Sequence, residues 1–524
     1  MEQHDKRRIN SIIAVGTGLI LIASILRWMS YVNIPLWLDE AWRANYILGA
    51  SRLQDLFVPA PVATLPGYVA WVRFFSFFHV NEVTLRLSSL LPGALVPISL
   101  FGASFLVTRN FIVSTAAGFL GVFNSLLVAY SHELKPYSPE AFLHSCYWVV
   151  LFYWLQNEEH VGKFCLFFTF VVAMLLMTPT TVFLLPSALI AILLAARKEH
   201  AYGRARFLAA FCTISLLTVL VNFLFLAHSA GNSGLYDYWG DNFFGGEGVS
   251  RPVWTFKMLS AQFAQAYETP ANFWINNWLP WINIIAVLSY PVLIFFGFLQ
   301  NKTRAEIFYL CSPVLVLIAA NTLHLWPLGA IRANIFMIPH FILILVLCIN
   351  ELFSSVPRFR DTLGVLVCVL LISNIHPFSM RAYTRMNPPM EDIPTAMAMA
   401  SQGMTSFPVL QEYPLLVNGL GSDALLFYTT YRERRAEWFH PVLLQKQTIS
   451  IADAYRNPSE ARKQIGSALE GKNGAHFFAS HLNEEEMAKL EASIRDAGWV
   501  VDIKQSAQGA AWLLLKPKTK QRGF

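Results

Sequence analysis

Charge is scarce in this chain. Of its 524 residues only 14% are Asp, Glu, Lys or Arg, while 55% are hydrophobic. Soluble domains carry about 25% charged residues, so a chain that is soluble throughout is excluded. The net charge of +6 is mild, spread over short loops and without a stripe, so it says nothing for a nucleic-acid partner and none is expected. Cysteine is sparse too. All six (Cys146, Cys165, Cys212, Cys311, Cys348 and Cys368) fall in apolar stretches, where cysteine acts as a small apolar residue. No Cys-x-x-Cys pair occurs, so neither a thiolate metal site nor a disulfide framework is implied. No glycine-rich phosphate fingerprint opens a helix, and there is no internal repeat or low-complexity segment.

What the chain has is long apolar runs. Candidate spans are 10–28, 84–107, 111–129, 140–156, 162–178, 180–196, 206–228, 281–299, 305–323, 333–353 and 361–377, about eleven in all. The first is preceded by Lys6, Arg7 and Arg8. It is followed by no convincing small-residue cleavage site, so it is expected to be an anchor and not a removed signal. With a cytoplasmic N-terminus every inner loop is basic: Arg109, Lys163, Arg197/Lys198/Arg204/Arg206, Lys302/Arg304 and Arg358/Arg360. The expected fold is a polytopic α-helical membrane protein over 1–377, followed by a small extracytoplasmic α/β domain over 378–524. In that tail, Pro414–Asn418 and Ala475–Ala479 read as strands. Asn483 caps an amphipathic helix ending near Arg495, and Val500–Lys516 reads as two strands with a turn near Gln508-Gly509.

Two outer segments precede the tail. The first, 29–83, is expected to hold interfacial helices at about 41–57 and 66–78. The second, 229–280, holds an aromatic and glycine-rich stretch from Tyr236 to Gly248. That stretch reads either as a mobile cover over a site or as an irregular interfacial loop.

Four polar clusters fall on the outer side. Asp39 and Glu40 lie in Pro35-Leu-Trp-Leu-Asp39-Glu40-Ala-Trp42 with no basic residue near in sequence. They are either two charges of a solvated loop or active-site acids at the water–lipid boundary, and a structural reason for them is hard to find in the sequence. The second cluster is Tyr130-Ser-His132-Glu133-Leu-Lys135-Pro-Tyr137-Ser-Pro-Glu140. Glu133 and Lys135 either pair with each other and snorkel, or Glu133 faces Asp39 across a cavity. Those two carboxylates are compatible with a divalent cation, although no ligand spacing identifies one. The third cluster runs from His324 to Arg332, where Arg332 follows a Pro-Leu-Gly stretch and suits either phosphate binding or interfacial anchoring. The fourth is the aromatic and glycine-rich stretch.

Leu-Asp-Glu-Ala-Trp after the first span, Tyr-Ser-x-Glu-x-x-Pro-Tyr after the third, and Trp-Pro-Leu-Gly-Ala-Ile-Arg-Ala-Asn-Ile-Phe-Met-Ile-Pro late in the bundle together resemble the GT-C glycosyltransferases. The nearest branch is the bacterial one akin to protein O-mannosyltransferases and lipid A aminoarabinose transferases. The resemblance covers about residues 10–380. It implies a GT-C-like bundle and a sugar donor on a polyprenyl phosphate. It also implies an inverting displacement onto a lipid, glycan or protein acceptor outside the cytoplasmic membrane. By position, Asp39 matches the catalytic aspartate as general base, Glu40 the second acid and Glu133 the acid of the later loop. Lys135, Tyr137 and Arg332 match the groups that hold the donor phosphate. Lys135 is a departure, since many relatives carry arginine there, and lysine meets phosphate as a point charge and not as a fork.

Two other classes compete. A transporter or flippase of a lipid-linked sugar would show ionisable residues mid-span, broken helices or related halves, and few such charges are evident. A scaffold that only presents the outer domain leaves Asp39, Glu133 and Arg332 unexplained.

Overall fold

A backbone in lipid has no water to bond, so each apolar stretch must satisfy its own N–H and C=O groups, and helices result. The structure, a computed structural model, describes residues 14–25, 34–49, 65–156, 160–198, 201–221, 239–244, 250–265, 304–373, 392–432 and 439–518. The chain divides into two compact units. One comprises Met1–Tyr31, Gln54–Trp71 and Arg86–Arg385; the other comprises Val32–Leu53, Val72–Leu85 and Met386–Phe524.

In the first unit, every expected span that falls on described residues coincides with a helix; 281–299 lies outside them. Among the described residues, Glu82–Thr108, Gly203–Val221 and Arg332–Leu352 are long and apolar enough to cross a membrane. Ala14–Ile25, Val161–Met177, Leu185–Arg197 and Phe308–Thr322 are shorter apolar helices. The expected spans are therefore matched in position, and not all in bilayer length.

The span expected at 111–129 is corrected to a bent pair, Phe111–Phe123 and Ser125–His132, which meet at 53°. Asn124 makes the bend. Its backbone turns extended at ψ 117°, and its Oδ1 accepts the Leu127 N–H at 3.0 Å, capping the second helix. Its Nδ2 donates to the Gln265 carbonyl at 2.7 Å. Before the bend, an added Cβ at Gly121 would stand 2.7 Å from Leu100 Cδ1 and 3.3 Å from Pro97 Cα. Only glycine lets the helices approach that closely.

The second unit is built on a five-stranded sheet: β1 (Leu415–Asn418), β2 (Thr448–Ile451), β3 (Ala475–Ser480), β4 (Trp499–Ala507) and β5 (Ala510–Pro517), in the order β2-β1-β3-β5-β4. β1 pairs in parallel with β2 and β3, and β5 pairs antiparallel with β3 and β4. Alternation sends Ala475, Phe477 and Ala479 of β3 into one apolar core. Helices Pro458–Ala468 and Glu484–Asp496 close that core with Ala461, Ile465, Leu490 and Ile494. The second of these helices opens on a capping box in which Asn483 and Glu486 each accept the other's backbone N–H at 2.9 Å. On the opposite face of β3, His476 is fully buried. Its Nδ1 accepts the Trp512 indole N–H at 3.0 Å and its Nε2 donates to the Leu410 carbonyl at 2.8 Å.

The helix expected at about 41–57 is described over Leu38–Gly49 and belongs to this unit; residues 50–57 lie outside the described ones. It docks on the tail through polar bonds. The Leu36 N–H donates to Tyr428 Oη at 2.8 Å, and Asn45 Nδ2 donates to the Asp423 carbonyl at 2.8 Å. Burial raises the Asp423 carboxyl above its ordinary value, and its bond with Asn45 opposes the shift. Glu82 and Arg432 form a buried ion pair at 3.0 Å in the same unit.

Candidate active site

Asp39 and Glu40 occupy the first turn of helix Leu38–Gly49 in the second unit; Asp39 is half-buried and Glu40 fully buried. Acids in a first turn face the positive end of the helix dipole, worth about 0.3–1 kcal/mol each at exposed sites. The structure thus supplies a structural reason for the pair that the sequence did not reveal. Glu133, Lys135, Tyr137 and Arg332 belong to the first unit.

In that unit the second cluster is a staple around Ser89. After the short helical turn Tyr130–His132 the chain extends at Glu133, and the Lys135 N–H returns to the Glu133 carbonyl at 2.7 Å. Ser89 Oγ donates to the Lys135 carbonyl at 2.9 Å, and Ser138 Oγ donates to the Ser89 carbonyl at 3.0 Å. These bonds fix the loop that carries Glu133 and Lys135 against helix Glu82–Thr108. Lys135 is buried, and its Nζ lies 5.9 Å from the Tyr137 ring centre, at the edge of cation–π range. Tyr137 in turn meets Tyr130 edge-on at 5.2 Å.

The third cluster is organised by a residue that sequence reasoning left without a role. Asn334, fully buried, donates to the carbonyls of Pro327 and Gly329, both at 3.1 Å, and accepts the Trp326 indole N–H at 2.9 Å. One side chain therefore closes the turn from which Arg332 emerges. Gly329 is obligatory there. Its φ is +113°, and an added Cβ would stand 2.9 Å from Met258 Sδ.

The fourth cluster docks on the third. Asn242 exchanges bonds with Leu328, its carbonyl accepting at 2.9 Å and its Nδ2 donating at 3.0 Å. The same carbonyl accepts Asn321 Nδ2 at 2.9 Å. Phe243 stacks on His324 at 5.6 Å, and the Arg332 guanidinium lies 5.9 Å from the Trp239 ring centre. Residues 239–244 thus pack on the Arg332 turn; of the stretch from Tyr236 to Gly248, residues 236–238 and 245–248 lie outside the described residues.

The elements that begin at Tyr137 and Arg332 pack against each other, His144 meeting Phe336 at 5.0 Å. Between them runs a buried polar chain. Trp148 Nε1 can only donate, so His340 Nδ1 accepts it, at 2.7 Å. His340 Nε2 must then carry the hydrogen given to His144 Nδ1 at 3.0 Å, and His144 Nε2 gives its own to Thr180 Oγ1 at 3.0 Å. Thr180 and Thr178 hydroxyls bond at 2.8 Å. This chain locks helix Tyr137–Leu155 to the segment headed by Arg332.

Among the described residues, no group of three or more His, Cys, Asp or Glu side chains gathers that could hold a metal ion.

No family model matches the chain, and no curated protein matches it in sequence. Solved structures do match it. ArnT from Cupriavidus metallidurans, bound to undecaprenyl phosphate, aligns over 97% of this chain and 97% of its own, at 13% identity and TM-score 0.50. The archaeal oligosaccharyltransferase AglB from Archaeoglobus fulgidus, in complex with an inhibitory peptide and a dolichol-phosphate, aligns over 90% of this chain and 73% of its own, at 13% identity and TM-score 0.46. The chain thus shares the fold of ArnT over nearly its whole length.

Proposed function

We propose that the chain is an integral-membrane inverting glycosyltransferase. It moves a sugar from a polyprenyl-phosphate donor to an acceptor on the outer face of the cytoplasmic membrane. The observation that carries this is the end-to-end fold match to ArnT, a protein seen with undecaprenyl phosphate bound. An acceptor hydroxyl attacks the anomeric carbon, the bond from that carbon to the phosphate oxygen breaks, and polyprenyl phosphate leaves. Asp39 takes the hydroxyl proton, and Glu40 supports it. Lys135 and Arg332 stabilise the charge that grows on the leaving phosphate, with Tyr137 beside Lys135. Glu133 keeps the role of the later acid. Acceptors of this chemistry are a lipid, a glycan or a protein side chain.

The test incubates the purified full chain with a panel of polyprenyl-phosphate sugars and measures release of free lipid phosphate. Asp39→Asn is expected to abolish release while the protein stays folded in the membrane; full activity in that variant would remove the general-base role. A bent span such as that at Asn124 also occurs in carriers of polar cargo. A flippase leaves the sugar–phosphate bond intact, so the same assay separates the two.

A further inference from the structure

The helix Arg251–Ala264 carries an anomaly. Gln262 is 1% exposed, and neither its Nε2 nor its Oε1 has a hydrogen-bond partner among the described residues. Gln265, three residues on and 8% exposed, has an Oε1 in the same state. A buried amide without partners destabilises the free protein, so it calls for a group that completes it.

The surroundings say where these amides lie. Met258, Gln262 and Gln265 follow the spacing of one helix face. Met258 packs on Gly329, three residues before Arg332. Phe263 meets Phe341 at 5.2 Å, which sets this end of the helix level with the first turn of Ile338–Leu352. The Gln265 carbonyl is tied to Asn124 at the 53° bend between two helices, eleven residues before Lys135.

The geometry points to Gln262, assisted by Gln265, as a recognition point for hydroxyl groups of the transferred sugar. This rests on the glycosyltransferase reading. The chemistry selects the ligand class. The orphaned atoms comprise one donor group and two acceptors, all uncharged. A phosphate or carboxylate would meet the donor and leave both acceptors unmatched. An ammonium would do the reverse. Neighbouring hydroxyls both give and take hydrogen bonds, and match the whole set.

The test uses the full chain and Gln262→Met, which keeps the volume and removes the polar atoms. Affinities are measured for undecaprenyl phosphate, undecaprenyl-phosphate mannose and undecaprenyl-phosphate arabinose, alongside thermal stability. The wild type is expected to bind at least one sugar-bearing lipid more tightly than the bare one. Gln262→Met is expected to lose that preference, about tenfold, while binding the bare lipid as before and melting no lower. A structural role would instead lower the melting temperature and weaken all three lipids together, which overturns the proposal. So does a sugar preference that survives the substitution, or a wild type with none. Arg332→Ala is the control: if it leaves the affinity for undecaprenyl phosphate unchanged, the phosphate grip fails, and the Gln262 comparison still stands or falls on the sugar preference.

Discussion

Asn334 ties together the Pro327 and Gly329 carbonyls and the Trp326 indole N–H, in a turn whose φ of +113° at Gly329 only glycine adopts readily. Asn334→Ala is expected to cost roughly 2–4 kcal/mol, as several buried groups lose their partner at once. The readout is a lower melting temperature together with a raised KM for the lipid donor, because Arg332 sits on the same turn. Arg332→Ala is expected to weaken use of the lipid-phosphate donor, and unchanged donor dependence would take Arg332 out of the site. The acids and cations stood out in the sequence because charge is rare in such a chain, and each rare charge demands a reason. Asn334 and Gln262 did not stand out. An amide has no charge to attract notice, and its importance lies in partners brought close only by folding. Asn334 was even within a quoted motif, yet nothing in its spacing told which carbonyls it would meet.

At the level of elements, apolar runs located the helices well, since a run of that length has no soluble alternative. They could not show the bend at Asn124, because the apolar pattern continues through it and the break depends on one side chain capping the next helix. In the tail, the cap at Asn483 and the strands at β1, β3, β4 and β5 were legible from local chemistry. β2 was not: four residues, mostly half-buried, leave little alternation to read. Packing of helix Tyr137–Leu155 on the Arg332 segment depends on the histidine chain. His340→Phe strands the Trp148 indole N–H and His144 Nδ1, and is expected to cost roughly 2–5 kcal/mol of thermal stability. In the sheet, burial pushes His476 down from 6.5 to about 4. Between those values the unfolded chain binds a proton that the folded unit refuses, so stability is complete above pH 6.5 and falls as pH drops towards 4. The loss approaches about 3 kcal/mol. Hydrogen exchange across β3 between pH 7 and 5 should report it, and His476→Gln should flatten the profile.

For the molecule as a whole, the second unit is drawn from three separate stretches, two of them early in the chain. Asp39 therefore sits on a helix whose polar anchors, Tyr428 and Asp423, come from the tail. Removing residues 386–524 is expected to abolish transfer even when the remaining helices insert in the membrane, as measured by lipid-phosphate release. Arg432→Met, which leaves Glu82 buried and unpaired, should cost about 3–5 kcal/mol in the melting of this unit. The same interleaving imposes an order of assembly on the growing polypeptide. Glu82 leaves the ribosome some 350 residues before Arg432 does, a wait of roughly 20–70 seconds at ordinary rates of synthesis. Through that interval the segment bearing Asp39 lacks the tail residues it is anchored to, so a nascent chain cut short by late stalling never completes the second unit.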